Sequence, residues 1–103
     1  MANEDYYGSD LKFLVEPSAS GFVKERDNFD VTISRGNIER TWEKSELSMD
    51  VEGNYYVCFS TEDFGAGQYY MTVVTHTPDD DFDDGFRDEI DQIALINVKK
   101  PKK

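Results

Sequence analysis

The residues best equipped for chemistry lie in one stretch, TPDDDFDDGFRDEID, Thr77 to Asp91, where eight of fifteen side chains are carboxylates. Carboxylates at this density can bind a hard cation, mimic the phosphates of a nucleic acid, or keep a loop solvated. The spacing tests the first. An EF-hand loop wants oxygens at its first, third and fifth positions, glycine at the sixth and glutamate at the twelfth. Counted from Asp79, the chain offers Asp79, Asp81 and Asp83, then Asp84 where glycine belongs, and Ile90 where glutamate belongs. The EF-hand reading fails. An irregular cation site using Asp79, Asp81, Asp83 and Asp84 stays open, beside the plainer reading of a charged hairpin loop that guards a sheet end. Phe82 and Phe86 stand out in so acidic a stretch. They either tuck back or form a small contact surface for a partner. Arg87, the single cation there, is expected to fold onto a neighbouring carboxylate and hold the loop's shape.

No enzyme constellation assembles from the other reactive groups. The one histidine, His76, ends an apolar run beside the acidic stretch. A catalytic triad would need a nucleophile and an orienting acid around it. The chain has neither a GxSxG elbow nor a phosphate-binding glycine loop. A glycosidase would need two carboxylates facing each other in a cleft, and here they crowd a loop. With one cysteine there is no internal disulfide and no CxxC metal pattern. Cys58 lies in the apolar run NYYVCFS and is expected to be a buried, inert thiol. A non-enzymatic protein without a cofactor is expected.

Net charge is −11, with an isoelectric point near 4.3. Nucleic acid and anionic membrane both need a basic surface, so neither is expected as a partner. A basic protein partner suits the charge better. At 103 residues, 38% hydrophobic and 14% aromatic, the chain is one folded domain and not a disordered acidic segment. The start, MANEDYYGSD, lacks a secretory pattern, and no apolar run reaches transmembrane length. The expected location is the cytoplasm of the producing cell.

The elements that must position these residues read as strands. LKFLVE, FDVTIS, RTWEK, NYYVCFS, QYYMTVVTH and QIALINV are mostly period-two runs, divided by EPSASG, SRGNIE, DVEGN, FGAGQ and DDGF. Gly36-Asn37 suits a tight hairpin. WEKSELSMD and STEDF allow a turn of helix each, the second capped by Ser60 or Thr61. The pattern predicts an all-β, immunoglobulin-like antiparallel sandwich of about seven strands. Its core is led by Leu11, Phe13, Val31, Ile33, Trp42, Val57, Phe59, Tyr69, Met71, Val73 and Leu95. Residues 1–9 read as a flexible segment, 10–98 as the domain and 99–103 as a basic, frayed tail. EDFGAGQYY looks like an immunoglobulin-type corner in which the Tyr69 hydroxyl returns to the backbone, with Trp42 on a candidate strand C as core plug between the sheets.

The order DLKFLVEP, DNFDVTISRG, EGNYYVCFSTEDFGAGQYY and the PD…DGFRDE loop resembles small β-sandwich proteins of phages and prophages in gut bacteria. These are similar to the N-terminal domain of phage baseplate upper proteins. The resemblance spans Asp10 to Val98 and implies an assembly module that docks on other virion proteins or on itself. In the resembled family a receptor-binding part follows the sandwich, and this sequence carries none, so a small connector of a tail tip is the better expectation. Two other classes stay open: a ligand- or carbohydrate-binding sandwich using Tyr6, Tyr7, Tyr55 or Tyr70 as a platform, and an acidic nucleic-acid mimic.

Overall fold

The structure, a computed structural model, describes residues 4–100. It is all-β, with eight strands: β1 Glu4–Tyr6, β2 Asp10–Val15, β3 Asn28–Arg35, β4 Ile38–Glu43, β5 Ser48–Met49, β6 Tyr55–Ser60, β7 Gly67–Pro78 and β8 Phe86–Lys99. A five-stranded sheet has the order β1-β8-β7-β3-β4, and a three-stranded sheet the order β2-β6-β5. All pairings are antiparallel except β1 with β8. Single 3-10 turns fill Lys44–Glu46 and Thr61–Asp63. The second is capped as its sequence suggests, with the Ser60 hydroxyl accepting from the Glu62 N–H at 3.2 Å. No helix among the described residues is long and apolar enough to cross a membrane.

Alternation places the core. Phe29, Val31 and Ile33 of β3 point inward, as do Tyr69, Met71 and Val73 of β7 and Val57 and Phe59 of β6. Phe59 is the hub, with its ring centre 5.9 Å from Phe13, 6.2 Å from Trp42, 5.4 Å from Phe64 and 6.0 Å from Tyr69. Rings from both sheets thus meet on one side chain, each such pair adding about 1 kcal/mol beyond its area. Leu11, Phe13 and Leu95, expected in the core, are half-buried against it, while Val15, Phe29, Phe64 and Val98 join it. Trp42 is buried on β4, the RTWEK run, which is an edge strand of the five-stranded sheet.

One inserted residue explains the misreading of β8. Tyr69 pairs with Ile96 and Tyr70 with Ala94, so Leu95 is a bulge. A bulge shifts the alternation by one. Ile96 and Val98 therefore face inward below it, although QIALINV alone suggests the phase of Leu95 and Asn97.

The GAG corner is held by a side chain. Arg35 donates from Nε (2.8 Å) and Nη2 (2.5 Å) to the Phe64 carbonyl. Gly67 adopts φ +139°, and a Cβ there would lie 2.7 Å from Arg35 Cδ. Glycine is required on both counts. The Tyr69 hydroxyl donates to the Gly65 carbonyl at 2.6 Å and the Thr61 carbonyl at 3.3 Å, the expected return to the backbone.

Two boundaries move. Glu4–Tyr6, inside the segment expected to be flexible, is a strand on β8, and Lys99 of the expected tail ends β8. Residues 101–103 of that tail lie outside the described residues. The long loop expected over 79–91 is shorter, since Phe86 to Asp91 are strand residues paired with Pro78 back to Val73. Their side chains are mostly exposed on both faces, so no alternation marks them.

Candidate functional site

β7 and β8 form a long hairpin. At ~3.3 Å per residue, β8 runs about 45 Å. The molecule measures 57 × 31 × 25 Å, with a radius of gyration of 15.3 Å. A compact chain of this length would have about 13 Å, so the shape is elongated.

The hairpin tip, Asp79 to Gly85, is tied by its own backbone. Asp79 N–H donates to the Gly85 carbonyl and Gly85 N–H to the Phe82 carbonyl, each at 2.9 Å. Arg87 locks the base from the side. Its Nη1 meets Asp79 Oδ2 at 2.8 Å, its Nε meets Glu89 Oε2 at 3.1 Å, and its Nη2 donates to the Ser20 carbonyl. The expected fold-back of Arg87 is therefore present, and it also fastens the 16–27 connection to the hairpin. Phe82 and Phe86 do not tuck in, with 48% and 47% of their surfaces exposed.

The structure does not bring the four candidate cation ligands together. No group of three or more His, Cys, Asp or Glu side chains that could hold a metal occurs among the described residues. Asp79 is engaged with Arg87 and the Asp81 N–H, and Asp84 accepts from the Phe86 N–H. These carboxylates shape the turn.

His76 has a built environment that no local sequence signal announces. Its Nε2 lies 3.0 Å from Asp30 and its Nδ1 2.8 Å from Asp88. Carboxylates only accept, so both ring nitrogens are held as donors, and the imidazolium is favoured. Its pKa is raised, first by the hydrogen bond it donates to Asp30 and then by the one it donates to Asp88. An open groove of about 670 Å³ lies alongside, where the chain crosses from β4 to β5. Asp30, Glu43, Ser45, Leu47, Tyr55 and His76 are among its walls. Ser45 and His76 share the groove without a hydrogen bond between them.

A second polar anchor lies under the 16–27 connection. The Asp27 carboxylate is buried and accepts from Arg26 Nε at 2.6 Å and from the Val23 N–H at 2.9 Å. Hydrogen bonding from Arg26, with lesser help from Val23 and Lys44, depresses its pKa to about 2. Lys44 Nζ closes the same loop by donating to the carbonyls of Lys24 at 2.7 Å and Asp27 at 3.0 Å.

No protein-family model matches the chain, and no curated protein or solved structure matches it. The residues alone carry the functional reading.

Cys58 corrects its expectation. It is exposed, 3.8 Å from the Ser48 hydroxyl. Its neighbours Val57 and Phe59 take the inward face of β6, and alternation turns Cys58 outward. Of the four candidate platform tyrosines, Tyr6, Tyr7 and Tyr70 are exposed. Tyr55 is half-buried, edge-on to Phe29 at 5.4 Å.

Proposed function

We propose that this chain is an immunoglobulin-like sandwich that acts as a non-enzymatic assembly module through protein–protein contacts, related to phage or prophage tails and baseplates. The phage relation rests on the resemblance in motif order, and the observation that carries the contact reading is the hairpin tip: two exposed phenylalanines on a turn whose shape Arg87 and backbone bonds hold fixed. A rigid tip loses little entropy on docking, and exposed aromatics are the residues that anchor interfaces.

The strand order supports the architecture. With β2, β6 and β5 as strands B, E and D, the other sheet reads A, G, F, C and C′, with A parallel to G. Tyr69 at the start of β7 would be the corner tyrosine of strand F. The inter-sheet disulfide of antibody domains has no counterpart, since Cys58 is the single cysteine.

The test is co-expression with the products of neighbouring genes, followed by size-exclusion chromatography with light scattering. A stable complex that is lost in the Phe82→Ser/Phe86→Ser double variant, with folding retained, supports the reading. A chain that forms no complex with any of them, or complexes indifferent to both phenylalanines, refutes the reading or its carrying observation respectively. The groove beside His76 favours a small-ligand module instead.

A further inference from the structure

The edge of β8 facing away from β7 is nearly bare. β1 covers it at Asn97, Val98 and Lys99 alone among the described residues. From Phe86 to Ile93 no described strand pairs with that edge, and no other backbone hydrogen bond reaches it. This is about 26 Å of open strand at ~3.3 Å per residue. The side chains beside it are open too. Every residue from Asp88 to Ala94 is exposed, with Ile90 at 73% and Ile93 at 48%. Unpaired N–H and C=O groups next to exposed isoleucines are a template for another strand.

Charge selects the occupant. Asp88, Glu89 and Asp91 lie along this segment, on both faces of the strand, against one cation, Arg87, which pairs with Glu89, while Asp88 meets His76. A second copy would set acidic edge against acidic edge, in a chain already carrying −11. A strand bearing lysine or arginine beside apolar residues would meet carboxylates and isoleucines together. The sheet's other edge, β4, is shorter and carries Glu39, Arg40 and Glu43, a mixed set. β8 is thus the longer edge, with three carboxylates to one arginine against two to one on β4.

We propose that Phe86 to Ile93 of β8 is a docking edge that adds one extended, basic segment of a partner protein to the five-stranded sheet. The proposal rests on the assembly reading and gives its partner a chemistry. Main-chain hydrogen bonds supply the pairing, and the excess of carboxylates over Arg87, with Asp91 foremost, chooses the sign of the incoming strand.

The experiment titrates the ¹⁵N-labelled chain with a capped peptide of five lysine–valine repeats. Two controls accompany it: the glutamate–valine counterpart, and the lysine–valine peptide with alternate backbone nitrogens methylated. The expected result is saturable amide shifts and slowed hydrogen exchange confined to Phe86–Ile93, with neither control reproducing them. Asp91→Lys, at an exposed position, should weaken binding about fivefold. Equal binding by the methylated peptide would mean charge attraction without strand addition, and would overturn the proposal. So would an absence of shifts at the edge. Protection of edge amides on raising the protein concentration alone would replace the basic strand with a second copy. Failure here with an intact Phe82- and Phe86-dependent complex leaves the assembly reading standing, so the two fail separately.

Discussion

Replacing Tyr69 by phenylalanine tests how the corner is held. The ring is fully buried and stacks on Phe59 at 6.0 Å, contacts that phenylalanine keeps. What disappears is one hydroxyl. Its 3.3 Å acceptor, the Thr61 carbonyl, also receives the Gly65 N–H at 2.9 Å and stays satisfied. Its 2.6 Å acceptor, the half-buried Gly65 carbonyl, is left without that donor. A net hydrogen bond contributes about 1 kcal/mol, and stranding the partner adds about 1 more. The expected loss is therefore ~2 kcal/mol. In urea, with a slope of about 2 kcal/mol/M, the midpoint should fall by ~1 M at unchanged slope. In a thermal scan the drop should be about 10 °C. A loss below ~0.5 kcal/mol would show that packing, and not the hydroxyl, fixes the corner. The same residue predicts an alkaline limb. Burial raises the Tyr69 pKa above its ordinary 10.0, so above that pH the unfolded chain holds fewer protons than the folded one. Stability present below pH 10 should decline as pH rises further, and Tyr69→Phe should flatten that decline.

Thr77 is 3% exposed and its hydroxyl has no hydrogen-bond partner. Thr77→Val keeps the shape and removes the desolvated group, so it should stabilise the fold by about 1 kcal/mol in the same urea assay. Asp27, with its pKa lowered from 3.8 to about 2, binds fewer protons folded than unfolded between those values. Stability should be intact above pH 4 and fall towards pH 2, a limb that Asp27→Asn should reduce in acid-unfolding curves. His76 carries the opposite sign. Its raised pKa makes the Asp30–His76–Asp88 bridge fully stabilising below 6.5 and progressively lost above it, and His76→Gln should erase that slope. Calcium added to millimolar should move the amides of Asp79 to Asp84 no more than sodium at equal ionic strength, because the turn's own bonds occupy Asp79 and Asp84. Saturable shifts there would refute this account of the loop.

The parts of the fold legible in sequence are those with one dry face and one wet face. β3, β6 and β7 alternate cleanly, and eight of the eleven expected core residues are buried while the other three are half-buried. The rest hides for physical reasons. The outer half of β8 is wet on both faces, so its strand pairing leaves no trace in hydropathy. The Leu95 bulge inverts the phase without changing composition. β1 is three residues long and acquires its conformation from β8. Cys58 is the instructive error, since its apolar neighbours suggested burial while the alternation of Val57 and Phe59 already placed it outside. At the candidate site, the fold-back of Arg87 was readable because its carboxylate partners, Asp79 and Glu89, are near in sequence. The His76 bridge was not. Its partners lie 46 and 12 residues away, and only the pairing of β3, β7 and β8 brings them together.

The hairpin that carries Phe82 and Phe86 also behaves as a ruler. Side chains change face with every residue, so adding or removing one residue per strand would swap the surfaces of the outer arm. Adding two per strand restores them and shifts the tip by about 7 Å. The core below the Leu95 bulge would not register the change. Reach is thus adjustable in fixed increments while the base stays constant, and a sandwich of one design could present the same tip at several heights.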